Sequence, residues 1–201
     1  DHIRIQVLAA GLELESSLNL ATEVDKKLET LVNYAFLPKY GFLTSCPTNV
    51  GTGIRISAMV HLPALTLTGN HKKVLEAISD LGMNIRGVYG EGSKSQGDLY
   101  QISNKQSLGI SSEEIVKNLK AICDRVIEQE RLARRYLGKE QLELADKVYR
   151  AYGVLSNCRK ISSEECKELL SDVKLGCDMG IIKELTDSKV AKLNIYTKPA
   201  N

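Results

Sequence analysis

The sequence predicts an α+β fold: an antiparallel sheet flanked by helices, followed by an all-helical tail. Three observations lead there. Alternating apolar runs at 2–9, 53–62, 83–89 and 98–103 are interrupted by segments of helical period rather than alternating regularly with them. Two of these runs are joined by the glycine-rich Gly90-Glu-Gly-Ser-Lys-Ser-Gln-Gly97, and beyond about residue 137 no strand-like run remains. A chain of 201 residues with 43% hydrophobic content can bury one good core and a satellite. The expected boundary therefore separates a domain at 1–136 from a helical interaction or dimerisation region at 137–201.

In chain order, 2–9 alternates as a strand, and 14–35 carries Leu14, Leu18, Ala21, Leu28, Leu31, Val32 and Ala35 at helical spacing. Residues 53–62 form the next strand, which Pro63 ends because it cannot donate to a ladder. A short helix over 70–81 turns Val74, Leu75 and Ile78 inward, with His71 solvated at its start. Strands at 83–89 and 98–103 follow, and their connection is suited to closing over a substrate. Ser111 with Glu114 forms a capping box that opens a long helix through Ile115, Leu119, Ile122 and Val126. In the tail, 142–152 is helical, Ser162 with Glu165 repeats the capping box, and 189–196 forms a last short helix.

Composition excludes several classes. A formal net charge of +2 argues against a nucleic-acid surface, although it leaves room for a local arginine cluster. Five cysteines with no Cys-x-x-Cys pair fit reduced thiols rather than a disulfide framework or a zinc site, and Cys123, Cys158, Cys166 and Cys177 are expected as small buried hydrophobes. No apolar run is long enough for a membrane span, no signal peptide is visible, and a cytoplasmic location is expected. There is no Walker sequence, and Gly87-x-x-Gly90-x-Gly92 has the wrong spacing for a dinucleotide fingerprint.

The stretch Thr44-Ser-Cys46-Pro-Thr-Asn-Val-Gly-Thr-Gly-Ile-Arg55 reads as a site. Short donors at Thr44, Ser45, Thr48 and Asn49 surround Cys46, and a thiol becomes reactive when its thiolate is stabilised by hydrogen bonds or positive charge. Gly51 and Gly53 would let the backbone approach a ligand. The plain alternative is a solvated turn before a strand. Arg4, Arg55 and Arg86 each sit between apolar residues in a strand-like run, so each faces away from the core. Three such strands would aim three guanidinium forks into one groove, where they suit phosphate oxygens.

These residues resemble a known family. Asp1-His-Ile-Arg-Ile5, Cys46-Pro-Thr-Asn-Val-Gly-Thr-Gly-Ile-Arg55, Leu62-Pro63 and Arg86-Gly-Val-Tyr-Gly-Glu-Gly92 are similar to the carboxy-terminal catalytic domain of ATP:guanidino phosphotransferases, the family of creatine and arginine kinases. Within it, Arg86-Gly-Val-Tyr-Gly-Glu-Gly92 and the tail run Val148-Tyr-Arg-Ala-Tyr-Gly-Val-Leu-Ser-Asn-Cys-Arg159 resemble the bacterial McsB-type protein-arginine kinases. The resemblance implies transfer of the γ-phosphoryl of ATP, with Mg2+, to arginine side chains of proteins. Arg4, Arg55, Ile56, Ser57, Ala58, Met59, Arg86, Gly87, Val88, Tyr89, Gly90 and Glu91 would line the nucleotide site, with Met59 supplying a soft contact for adenine. Glu91 would hold the substrate guanidinium, and Cys46 would orient it as a thiolate without forming a covalent bond. No residue is expected as a metal ligand. Implied partners are client proteins, an activator protein, a Clp-type protease that reads the mark, and a second copy of the chain. Arg150 and Arg159 are expected on the solvated surface, with phosphoarginine recognition as the alternative.

Family members also carry Asn-Glu-Glu immediately before the Asp-His that opens this sequence, with the adjoining glutamate catalytic. A preceding helical domain, a Ser-Ser-Arg-x-Arg segment and a longer phosphoarginine-binding tail are likewise outside the 201 residues, so turnover by this stretch alone is not expected. Two other readings stay open: a small-molecule guanidino kinase, and a non-catalytic nucleotide-binding or dimerisation fragment.

Overall fold

A computed structural model describes residues 2–87 and 95–197. The elements in chain order are α1 (Leu14–Glu29), β1 (Phe36–Leu37), β2 (Gly41–Phe42), a 3-10 turn (Pro47–Asn49), β3 (Ser57–His61), α2 (Pro63–Leu67), α3 (His71–Asp80), β4 (Met83–Gly87), β5 (Leu99–Asn104), α4 (Ser112–Leu137), α5 (Gln141–Asn157), α6 (Ser163–Asp178) and α7 (Asp187–Tyr196). Strands β1 and β2 form a hairpin, and the other three form a sheet of order β3-β5-β4. The architecture is α+β, as expected. The fold divides into two compact units: Asp1–Ala58 with Ala77–Ile85 and Ile102–Arg125, and Met59–Glu76 with Arg86–Gln101 and Val126–Asn201.

In the first unit, Ile78, Met83, Ile102, Ile115, Val116, Leu119, Ile122 and Cys123 are buried. The capping box of α4 forms as read, with the Ser111 hydroxyl accepting from the Glu114 amide at 3.1 Å. Three expectations fail. Residues 2–9 form no strand, and Leu8 is 96% exposed, because alternation alone builds no strand without a neighbouring ladder and none pairs with it among the described residues. α1 stops at Glu29 rather than near Ala35: Thr30 donates its hydroxyl to the Lys27 carbonyl, and the amides of Leu31 and Val32 fold back onto the Leu28 carbonyl. The chain then makes the β1–β2 hairpin, pinned by edge-to-face contacts of Phe42 with Tyr34 and Phe36 at 5.7 and 5.3 Å. His71 is half-buried rather than solvated, with its Nδ1 lacking a hydrogen-bond partner.

Gly51 is required by the fold. Its φ is +113°, and a Cβ there would lie 2.6 Å from the Ser107 carbonyl oxygen. It bridges Phe42 antiparallel and Ser107 parallel, so it allows a close approach to the chain's own backbone.

In the second unit, α5, α6 and α7 confirm the helical tail, and Ser162 caps α6 by accepting from the Glu165 amide at 3.1 Å. Leu144, Val148, Ala151, Val173, Leu175 and Ile182 make one apolar cluster, and Cys166, Leu170 and Val190 a second. Cys123 and Cys166 are buried and Cys177 half-buried, but Cys158 is exposed, because it stands where the chain leaves α5 in extended conformation. Arg150 lies on the surface, paired with Asp146 at 2.6 Å.

Pro63 ends β3 but also starts α2 as its first-turn residue. Beside it, His61 Nε2 lies 2.8 Å from Ser171 Oγ, whose proton goes to Asp98 Oδ2 at 2.7 Å. The hydroxyl has one proton, so His61 is the donor through Nε2–H. Burial pushes its pKa down to about 4, against the opposing pull of Asp98. A histidine depressed in the fold binds its proton more readily when unfolded. Stability should therefore be full above about pH 6.5 and be lost as pH falls towards 4, by ~3 kcal/mol. Urea titrations at pH 7 and pH 4.5 check this, with His61→Gln expected to flatten the difference.

Candidate functional site

The loop 43–50 projects from the base pair Phe42–Gly51, whose backbone groups exchange hydrogen bonds of 2.8 and 3.2 Å. Cys46 sits on this loop, exposed, immediately before the Pro47–Asn49 turn. Its Sγ lies 3.0 Å from the Thr48 hydroxyl. That hydrogen bond is the main reason its pKa is lowered, followed by the Thr48 backbone, with the Arg55 charge and the Asn49 backbone adding to the effect. Thr44 does not serve the thiol: its hydroxyl donates to the Cys46 carbonyl at 2.8 Å and holds the turn instead.

Ser107 was not anticipated. It is fully buried and donates to the carbonyls of Thr48 and Val50 at 3.3 and 3.0 Å, so it fixes the Cys46 turn from beneath. No local signal marks it, since its partners are 59 and 57 residues away.

Arg55 lies in the extended approach to β3, two residues before the strand begins. It is exposed, and Nη2 donates to Ser103 Oγ at 3.2 Å. Buried Asn104 holds the same approach: its Oδ1 accepts from the Ile56 amide at 2.8 Å, and its Nδ2 donates to the Ile54 carbonyl at 3.2 Å. Asn104 is a second residue that the sequence reading missed. Ile56 is half-buried, Ser57 and Met59 are exposed, and Ala58 between them is half-buried, as β3 alternates.

The three arginines do not all ride on strands. Arg4 is exposed in a strandless segment, Arg55 precedes a strand, and only Arg86 lies within one, exposed on β4 beside half-buried Gly87. Cys46, Arg4 and Arg55 belong to one compact unit, and Arg86 to the other. Val88, Tyr89, Gly90 and Glu91 lie outside the described residues. A shallow cavity of about 420 Å³ at the β1–β2 hairpin is lined by Phe36, Tyr40, Phe42 and Leu108, and of the stretch 44–55 it takes in Gly51 and Thr52 but neither Cys46 nor Arg55.

Two variants test the thiol. Thr48→Val should move the pH profile of Cys46 alkylation upward, since the largest stabiliser of the thiolate is removed. Cys46→Ser, assayed in the full-length protein, should lose activity only partially, on the order of 10–100-fold, if the thiolate orients substrate without forming a bond.

The family model of the ATP:guanido phosphotransferase C-terminal catalytic domain matches residues 1–133, and that of the protein-arginine kinase McsB C-terminal domain matches residues 141–201. The chain is 51% identical over 202 residues to a protein-arginine kinase of Halothermothrix orenii, covering 100% of this chain and 58% of that protein. It is 52% identical over 200 residues to one of Bacillus pumilus, covering 99% of this chain and 55% of that protein. A substrate-free duplicated taurocyamine kinase from Schistosoma mansoni aligns with a TM-score of 0.48 at 29% identity, over 58% of this chain and 16% of that one. This chain belongs to the ATP:guanido phosphotransferases, to which it contributes a C-terminal catalytic domain. It spans 55–58% of the length of those two protein-arginine kinases.

Proposed function

We propose that the protein is a protein-arginine kinase, transferring the γ-phosphoryl of ATP to the guanidinium of arginine side chains in client proteins. The observation that carries this is the joint match of a guanidino-kinase catalytic domain and a McsB C-terminal domain on one chain, with about half of its residues shared with proteins of that name. In this reading 1–136 is the catalytic domain and 137–201 the interaction region.

Arg4, Arg55 and Arg86 would bind the triphosphate, with Ile56, Ser57, Ala58, Met59 and Gly87, and Val88 to Glu91 beyond them, lining the nucleotide. Arg55 has the clearest support: it is exposed, oriented by Ser103, and set on a backbone that Asn104 holds. The delocalised guanidinium of the substrate is a poor nucleophile, so a nitrogen must be held in line while its proton leaves. Glu91 would take that carboxylate role, and the Cys46 thiolate would hold the far side of the guanidinium. Mg2+ would enter with the triphosphate and neutralise the charge that develops on its oxygens. No described helix is long and apolar enough to cross a membrane. The reading adds a cytoplasmic location, an activator protein, a Clp-type protease acting on marked clients, and a homodimer.

The test is transfer of labelled γ-phosphate by the full-length protein to an arginine-rich protein and to free arginine. Acid-labile label on protein supports the reading. Label on free arginine alone would make it a small-molecule kinase, and no label on either would leave a binding module.

A further inference from the structure

The β1–β2 hairpin holds apolar side chains in the open beside the Cys46 turn. Phe36, Leu37, Tyr40, Leu43 and Leu108 are all exposed. Phe36, Tyr40 and Leu108, with Phe42, wall the cavity of about 420 Å³. Large apolar groups gathered in one exposed place mark a contact surface, whereas the same groups scattered singly mark nothing. The volume is that of a binding cleft, but the cavity is too shallow to surround most of a small molecule. A polypeptide lying across it and inserting one side chain suits that shape.

The surroundings narrow the occupant. Ser107 lines the cavity and also donates to the carbonyls of Thr48 and Val50 at 3.3 and 3.0 Å, and the Phe42–Gly51 pair that closes the Cys46 loop lines it too. The cavity and the Cys46 turn thus share one framework, and all of these residues lie in the first compact unit. An extended chain advances about 3.3 Å per residue, so a client with its arginine at Cys46 would carry residues a few positions away over the hairpin. Lys39 also lines the cavity, with Nζ 5.2 Å from the centre of the Tyr40 ring. Its charge repels the client's arginine from the cavity and attracts a carboxylate beside the inserted side chain. Thr52, on the cavity wall, keeps its hydroxyl buried with no partner among the described residues, so the chain's own groups leave that wall incomplete.

We propose that the hairpin cavity docks the client polypeptide, taking an aliphatic or aromatic side chain a few residues from the target arginine, with an acidic neighbour set against Lys39. The cavity thereby selects clients by what stands beside their arginine. This deepens the protein-arginine kinase reading and rests on it.

The experiment is steady-state kinetics of the full-length protein on matched arginine peptides. One position is leucine or alanine, scanned on both sides of the arginine, and its neighbour is aspartate or lysine. At the position that reaches the cavity, leucine should lower KM on the order of tenfold against alanine, with kcat within about twofold. Leu108→Asn should abolish that preference and leave KM for ATP and for the alanine peptides within about twofold. Lys39 is exposed, and Lys39→Glu should reverse a preference for aspartate over lysine that is about threefold in wild type and fades with salt. Equal KM for leucine and alanine at every position, or an unchanged preference in Leu108→Asn, would overturn the proposal. Should Leu108→Asn not fold, an unchanged charge preference in Lys39→Glu would overturn it equally. An altered oligomeric state or thermal stability of Leu108→Asn with the peptide preference intact would give the cavity to a second copy or to another segment of the chain, and overturn it as well. Label without any preference sinks the proposal alone, whereas no label on any peptide would overturn the kinase reading and the proposal with it.

Discussion

Arg55→Ala in the full-length protein should reduce phosphoryl transfer about 1,000-fold or more, the scale seen when a cation facing a transferring phosphoryl group is removed. The side chain is exposed and, among the described residues, gives one of its five N–H donors to the protein, at Ser103 Oγ, so its fork is directed without being consumed. Its backbone neighbours Ile54 and Ile56 are both held by Asn104, which makes a compensating shift of the loop costly. Arg55→Lys should recover little, since an ammonium supplies charge but not the planar pair of donors. Ser103→Ala, which frees the fork without removing it, should lose about tenfold. Because Arg55 also helps to lower the Cys46 pKa, the Arg55→Ala protein should alkylate at Cys46 with a profile moved to higher pH. Arg55→Ala within about tenfold of wild type, or a loss no deeper than that of Cys46→Ser, would remove Arg55 from the phosphate site.

The elements that sequence reading found are those whose signals are local. The capping boxes at Ser111 and Ser162 act over three residues, and each formed as read. The periodicity of 70–81 and 142–152 located α3 and α5, because a helix carries its own hydrogen bonds. The segment 2–9 misled because a strand does not: the same alternation that gave β5 gave nothing where no ladder meets it. β1 and β2 are two residues each, too short for a period to show, although Pro38 followed by Gly41 marks their turn, closed by the Tyr40 amide on the Leu37 carbonyl at 2.9 Å. At the site, the Cys46–Thr48 contact was legible as a two-residue spacing. Ser107, Asn104 and Ser171 were not, because each acts across 48 to 110 residues of chain. Gly51 stands out in the sequence as a place of close backbone approach, but that its neighbour is Ser107 is not legible there.

Glu130→Ala should destabilise the fold by about 3–5 kcal/mol, the cost of stripping one partner from a buried ionic cluster. The reason begins at α2, a five-residue helix whose N-cap position is Leu62, a residue with no acceptor to offer the exposed amides of the first turn. Pro63 removes one of those donors, which leaves Ala64 and Leu65. Glu130, on α4 and only 4% exposed, supplies both missing acceptors, taking the Ala64 amide at 3.1 Å and the Leu65 amide at 3.0 Å. Its charge suits the positive end of α2, and Arg134 Nε, one turn further along α4, balances it at 2.8 Å. Arg134 in turn reaches Asp178 at 3.0 Å, and Lys174 pairs with the same carboxylate, so α4 and α6 are tied through one chain of charges. Truncating Glu130 would strand two buried amides and leave Arg134 dependent on Asp178 alone. Glu130→Gln keeps one acceptor and loses the charge, so about 1–2 kcal/mol is expected there. Urea midpoints with an unchanged slope would register both losses. A Glu130→Ala midpoint indistinguishable from wild type would mean that water caps α2 as well as the carboxylate does.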